Sequence, residues 1–138
     1  MRQGGNFLPL PVTPTAGKFN FTVLLRKGRR VRWFLNRIDD RNYDLIELDK
    51  KTFYRSRVTN GKTTEVAKVP HNAGENGPYQ IQVEVSADTV THSIRRGGSW
   101  AVLDTWHETG RDLSRGTFGF LITGRDEMGL ADFSFQPR

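Results

Sequence analysis

The sequence predicts an all-β domain with little or no helix, folded as a two-sheet antiparallel sandwich or as a barrel. Three observations carry that expectation. Thirteen threonines, ten valines, five isoleucines and 11% aromatic residues stand against six alanines, a balance that suits pleated, half-buried strands better than helices. About ten short runs alternate apolar and polar residues with turn signals between them. The 138-residue chain has the length of one domain, and without cysteine it has no disulfide, thiolate zinc site or cysteine nucleophile, so a hydrophobic core must hold it.

Residues 1–17 are expected to form an extended opening segment or an edge strand, because Pro9, Pro11 and Pro14 cannot donate to a central ladder. The sandwich proper is expected over residues 18–136. Phe19, Phe21, Val23 and Leu25 share one strand face, since strand side chains repeat every two residues, and Gly28 turns the chain into Val31, Trp33 and Leu35. Residues 42–49 and 53–58 are the next two alternating runs, and Asn60-Gly61 is a strong hairpin signal before residues 64–69. Residues 70–78 hold too many breakers for regular structure. Tyr79, Ile81, Val83 and Val85 alternate next, then Val90, His92 and Ile94 after an Ala87-Asp88 turn, then residues 99–104 after Arg96-Gly97-Gly98. Residues 105–116 read as polar and irregular, and residues 118–122 and 131–135 supply two closing strands. The expected core is Phe19, Phe21, Val23, Val31, Trp33, Leu35, Leu45, Ile81, Val83, Val85, Phe118, Phe120, Ile122, Phe133 and Phe135.

Charge divides unevenly along the chain. The net charge is +6, with 15 Lys/Arg against 6 Asp/Glu in residues 1–69 and 6 against 9 in residues 70–138. Arg26, Lys27, Arg29, Arg30 and Arg32 crowd around the Gly28 turn, and Arg55 and Arg57 share a strand face with Phe53. Those seven cations are a candidate basic face for a phosphate-bearing or sulfated polyanion, or simply a solvated hairpin tip. No recognised nucleic-acid motif accompanies them. No apolar run is long enough for a transmembrane helix, and the start at Met1 lacks a signal peptide's apolar stretch, so no membrane insertion is expected. The Met-Arg-Gln-Gly-Gly start fits either a domain excised from a longer exported protein or a small cytoplasmic protein, which leaves the compartment open.

An aromatic strand (Phe19-Asn20-Phe21), the string Asn36-Arg37-Ile38-Asp39-Asp40 followed by Asn42-Tyr43, a lysine-bearing Asn60-Gly61-Lys62 turn, the alternating 81–85 strand, the Gly97-Gly98 turn, Gly116-Thr117-Phe118-Gly119-Phe120 and Ala131-Asp132-Phe133 carry a family resemblance. Over residues 18–136 the order of these motifs resembles the concanavalin A-like, laminin-G-like jelly rolls of bacterial multidomain proteins. The resemblance implies a two-sheet jelly roll. It further implies that Arg37, Asp39 and Asp40 lie at a strand end and that the Gly-x-Phe-Gly strand is the penultimate one. Such domains serve as sugar-binding modules, protein-contact modules, glucanases or spacers, so fold alone does not choose among them.

Glucanases of this superfamily carry a Glu-x-Asp-x-Glu strand, and the nearest string here is Glu47-Leu48-Asp49-Lys50-Lys51. Glycoside hydrolysis needs a second carboxylate as acid, and Lys51 stands in its place, so no hydrolase activity is expected. His71, His92 and His107 are spaced for no recognised zinc site, His92 in phase with Val90 and Ile94 reads as packed, and no serine elbow or nucleotide loop occurs. No cofactor is expected; calcium, which the resemblance keeps open, would fall to Asp39/Asp40 or Asp126/Glu127. The leading expectation is a non-catalytic binding or accessory module whose partner is a glycan or a neighbouring protein domain. Of the aromatic candidates Trp33, Tyr43, Tyr54, Trp100 and Trp106, Trp106 has no periodic reason to be inside. Trp106 as stacking platform, with His107, Glu108 and Arg111 as hydrogen-bonding groups, is therefore the expected ligand site.

Overall fold

The computed structural model describes residues 2–3, 6–9, 16–27, 30–71, 78–96, 98–122 and 127–137, with backbone only for 2–3, 6–9, 25–27, 96, 122 and 127. Twelve strands lie among them: β1 (Arg2–Gln3), β2 (Asn6–Pro9), β3 (Gly17–Lys27), β4 (Val31–Asp39), β5 (Asn42–Leu48), β6 (Thr52–Thr59), β7 (Lys62–Pro70), β8 (Tyr79–Val85), β9 (Thr89–Arg96), β10 (Ser99–His107), β11 (Thr117–Ile122) and β12 (Glu127–Pro137). They form two six-stranded sheets, ordered β1-β12-β3-β8-β9-β10 and β2-β11-β4-β5-β6-β7. Every pairing is antiparallel. Among the described residues there is no helix, and hence none long and apolar enough to cross a membrane.

Period-two alternation explains the inner faces. Phe19, Phe21 and Val23 of β3 meet Val31, Trp33 and Leu35 of β4 across the gap, with Ile46 and Leu48, Ile81 to Val85 and Phe118 and Phe120 completing one core. Phe19 stacks on Phe118 at 4.1 Å between ring centroids, and Phe21 meets Trp33 edge-on at 5.4 Å. The expected core is inside with three qualifications. Phe133 and Phe135 are partly buried, packed against this cluster. Leu45 is buried on the opposite face of its sheet, in a separate cluster with Phe34, Val58 and Leu121. The side chain of Ile122 lies outside the described residues, as do most of the breaker-rich 70–78 stretch and the Gly28 turn.

The expected irregular stretch 105–116 is partly strand, because β10 continues to His107. A register shift between Val102 and Asp104 lies in the β9–β10 ladder. Ala101 points inward before it, Leu103 is buried within it, and Trp106 points inward after it, so the bulge inverts the phase of everything beyond it.

Candidate functional site

The geometry at one end of the sandwich starts from a break in β4. Pairing with β5 slips between Leu35 and Asp39, pairing with β11 slips opposite the same residues, and Asn36 holds a left-handed φ of 54°. A non-glycine residue in that region is uncommon and strained, and such strain clusters at functional sites. Gly116 makes the bulge possible: a Cβ there would sit 2.7 Å from the carbonyl carbon of Asn36 and 2.8 Å from the oxygen of Arg37, at a φ of +78°. Beyond the slip, with Arg37 opposite Thr117 and Asp39 opposite Asn42, Arg37 to Asp40 run out to the end of the domain, where Ile38 is 54% exposed.

The tip is stitched by short polar contacts. Asp39 Oδ1 accepts the Arg41 N–H at 2.8 Å and Asn42 Nδ2 at 2.9 Å, which hold its carboxyl below the usual carboxylate range, the Asn42 bond foremost. Asn42 Oδ1 accepts the Asn60 N–H at 3.1 Å, and the Arg41 guanidinium donates to the Asn60 carbonyl at 2.7 Å, joining the β4–β5 and β6–β7 turns. Asp40 pairs with Arg37. Two clefts result, one on each side of Ile38. The larger, about 610 Å³, is walled by Arg37, Asp39, Asp40, Arg41, Asn42 and Asn60. The smaller, about 310 Å³, is walled by Asn36, Gly110, Arg111, Asp112 and Arg115.

Behind the smaller cleft lies an ionic network built on one buried carboxylate. The Asp44 side chain, 2% exposed, accepts from Asn36 Nδ2 at 3.1 Å and Arg111 Nη2 at 3.1 Å, with Arg57 Nε at 3.6 Å. Glu108 accepts from Arg111 Nε at 2.6 Å and from Arg57. Led by the Arg111 bond and against partial burial, these contacts pull the Glu108 carboxyl down to about 2. The network therefore fixes Asn36 and Arg111, each of which also faces the cleft. Asp44→Ala is expected to cost about 2–3 kcal/mol, below the 3–5 typical of a broken buried ion pair because both arginines keep roughly a third of their side chains in water. Urea denaturation measures it; a loss under about 0.5 kcal/mol, the level of an ordinary surface substitution, would show that Asp44 does not anchor the wall.

Of the four residues expected to bind ligand, Glu108 and Arg111 stay together, and Trp106 and His107 part from them. Glu108 belongs to the network and Arg111 to both network and cleft. Trp106 is 4% exposed, in the core, with the Arg55 guanidinium 4.5 Å above its ring, so it offers no open face for stacking. His107, on the other side of β10, points outward and meets Thr89 Oγ1 at 3.2 Å. The cations expected to form one basic face divide likewise. Arg30 and Arg32 lie on the outer face of their sheet against Glu47, whereas Arg55 and Arg57 point inward and bridge the sheets to Asp104 and Glu108. Arg29 and the side chains of Arg26 and Lys27 lie outside the described residues.

Glu47 is thus held by two guanidiniums. Asp49 follows β5 and caps a turn, accepting from the Lys51 and Thr52 amides and the Tyr54 hydroxyl, so residues 47, 49 and 51 do not share one strand face. Of the calcium candidates, Asp39 and Asp40 make the contacts given above, while Asp126 and the Glu127 side chain lie outside the described residues. Among the described residues no cluster of three His, Asp or Glu could hold a metal. Of the residues that line the two clefts, only Arg111 belongs to the expected ligand site; Asn36, Arg37, Ile38, Arg41, Asn42, Asn60, Gly110, Asp112 and Arg115 are not among the candidates the sequence offers.

No protein-family model and no curated protein sequence matches the chain. Solved structures do. A carbohydrate-binding module, CBM66 from Bacillus subtilis, superposes with a TM-score of 0.71 at 16% identity over 96% of this chain and 82% of its own. Sheep galectin-11 gives 0.66 at 8% identity over 99% and 100%, and the Caenorhabditis elegans galectin LEC-6 gives 0.58 at 14% over 96% and 93%. The fold is a concanavalin A-like jelly roll. A protein described as Bacteroides ovatus xyloglucan PUL GH43B shares this jelly roll at a TM-score of 0.61 and 15% identity, over 96% of this chain but 29% of that one.

Proposed function

We propose that this jelly roll is a non-catalytic carbohydrate-binding module that takes a sugar in the two clefts flanking Ile38. The observation that carries the reading is the composition of that end: four arginines, three aspartates and asparagine side chains around one exposed aliphatic residue. A pyranose or furanose ring presents hydroxyls that both donate and accept, with a C–H surface between them. Carboxylates accept from such hydroxyls, guanidiniums and amides donate to them, and Ile38 meets the C–H surface. The carbohydrate-binding module and galectins of the same fold add support at the level of architecture. The occupied state of Glu47 and the turn-capping role of Asp49 support the non-catalytic part.

Arg115 makes the sharpest test, because its guanidinium has no hydrogen-bond partner among the described residues, and truncation leaves the fold's contacts in place. Titration with a panel of neutral mono- and oligosaccharides, followed by NMR and calorimetry, should shift resonances of residues 36–42 and 110–115. Arg115→Ala should weaken binding about tenfold or more, as expected for a lost charged hydrogen bond. Binding unaltered by both Arg115→Ala and Ile38→Ser would sink the reading, as would a panel that leaves these residues unmoved.

A further inference from the structure

The β6–β7 hairpin closes on two residues, Asn60 and Gly61, between the paired Thr59 and Lys62. Their φ values of 51° and 82° are those of a type I′ turn. Arg41 of the neighbouring β4–β5 turn clasps this hairpin. Its carbonyl accepts the Gly61 N–H at 2.9 Å, and its guanidinium lies so close that a Cβ on Gly61 would come within 3.1 Å of Nε. The main chain of Asn60 is held by the Arg41 and Asn42 bonds described above. Its side-chain amide has no hydrogen-bond partner among the described residues, and the residue is exposed on the wall of the larger cleft.

We propose that Asn60 is a site at which this chain modifies itself, at a pace set by the Arg41 clasp. An asparagine before a glycine is chemically vulnerable, because no Cβ shields the glycine nitrogen from the carbonyl carbon of the asparagine side chain. The deprotonated Gly61 nitrogen attacks Cγ of Asn60, the new N–C bond closes a five-membered imide, the Cγ–Nδ2 bond breaks, and ammonia leaves. Water then opens the imide at either carbonyl, giving aspartate or isoaspartate. The sum is hydrolysis of a side-chain amide by water, with no oxidant or cofactor.

The closed hairpin opposes the first step twice. The proton of the attacking nitrogen is engaged by the Arg41 carbonyl. Ring closure also brings Cβ and that nitrogen to the same side of the Cα–C bond of Asn60, whereas the ψ of about +30° at the first position of a type I′ turn puts them on nearly opposite sides. The reaction therefore runs through an opened hairpin. Opening is accessible because β7 is the edge of its sheet, hydrogen-bonded to β6 alone, with residues 62–66 all exposed. The product does not re-form the joint: isoaspartate adds an atom to the main chain of a turn that has room for two residues, and either product adds a carboxylate to the cleft that Asp39 and Asp40 also line. Loss of sugar binding on ageing follows only from the cleft reading above; the reaction itself does not depend on that reading.

Incubation of the folded chain, of Arg41→Ala and of a capped synthetic peptide of residues 58–62 in mildly alkaline buffer tests the proposal without any sugar. Tryptic peptide 58–62 is followed by chromatography and mass spectrometry, which separate the aspartate and isoaspartate products. Asn76-Gly77, the other such pair, lies outside the described residues and falls in a different tryptic peptide. Conversion in the folded chain is expected to be at least about tenfold slower than in the free peptide, because only the opened fraction reacts. Arg41→Ala is expected to convert several-fold faster than the unaltered chain. Arg41 is exposed, so its variant should fold, and a thermal melt checks this; urea below the unfolding transition loosens the hairpin of the unaltered chain and should accelerate the reaction independently. A folded chain that reacts as fast as the peptide overturns the proposal. So does a folded Arg41→Ala that reacts no faster than the unaltered chain, an absence of acceleration in urea, or an Asn60 that stays intact in both proteins after the peptide has fully converted.

Discussion

Acidification from pH 7 toward pH 4 is expected to destabilise this domain strongly through one ring, the imidazole of His92. The ring is fully buried on the inner face of β9, 5.1 Å from the Phe53 ring, and its Nε2 accepts the indole N–H of Trp33 at 3.0 Å. That bond assigns the remaining ring proton to Nδ1, which has no hydrogen-bond partner. A second proton would have to displace the indole donor and sit as a cation in the core. Burial, and secondarily the positive charge of Arg55, therefore push the ring down from 6.5 to about 3. The nearby Asp104 carboxylate gives no relief, being committed to Arg55 at 2.9 Å.

The sign follows from proton counting. The unfolded chain takes up a proton at His92 below pH 6.5 and the folded chain only near 3, so stability is full above 6.5 and falls steadily between those values. The slope approaches about 1.4 kcal/mol per pH unit, and the whole interval amounts to on the order of 5 kcal/mol, a large share of a small domain's stability. Glu108, whose carboxyl is drawn down to about 2, adds its own loss only below its ordinary range near 4.5. Urea midpoints between pH 7 and 5 isolate the histidine, and His92→Phe should flatten them. An unchanged slope in that variant would refute the account.

Phe120→Ala is expected to cost about 3–5 kcal/mol, the range for removing a buried aromatic from a core that cannot collapse around the hole. Phe120 is 2% exposed and meets three rings nearly edge-on: Phe21 at 5.2 Å, Phe118 at 5.7 Å and Phe133 at 6.5 Å. These partners come from three strands in both sheets, so no single side-chain rotation refills the space. Phe120→Leu should recover a substantial part of the loss. A measured cost of Phe120→Ala below about 1 kcal/mol, no more than an average point substitution, would mean that the inner face of β11 has been assigned to the wrong residues.

Most of the fold is legible in the chain because most strands keep strict period two: Phe19/Phe21/Val23, Val31/Trp33/Leu35 and Ile81/Val83/Val85 each name their inner face. Legibility stops where the ladder slips. Trp106 reads as surface only if β10 is irregular or keeps its phase, and the bulge beyond Val102 reverses that phase and buries it. Leu45 reads as main core, but Phe34, Val58 and Leu121 give its sheet a second apolar surface that alternation cannot distinguish from the first. Arg55 and Arg57 read as a basic face because charge normally means solvent, yet their carboxylate partners lie 49 and 51 residues away in the other sheet. The motif around Asn36 was visible as a string and its position at a strand end was expected. Its function as the wall of a cleft depends on Gly116, 80 residues later, and no local pattern connects the two.

The two bridges from β6 to Asp104 of β10 and to Glu108 just past its end have a consequence for how the domain yields. Around β3, β11 and β12 the sheets adhere through packed phenyl rings, an attraction that electrolyte does not screen and that cooling weakens. Along the opposite margin the Arg55–Asp104 and Arg57–Glu108 contacts fasten them, an attraction that electrolyte weakens, less at the more buried Arg55–Asp104 than at the surface, and that heat impairs far less. Breathing of the structure is thus hinged by solvent conditions: brine loosens the β6–β10 margin while the phenyl side stays shut, and chilling acts in the reverse sense.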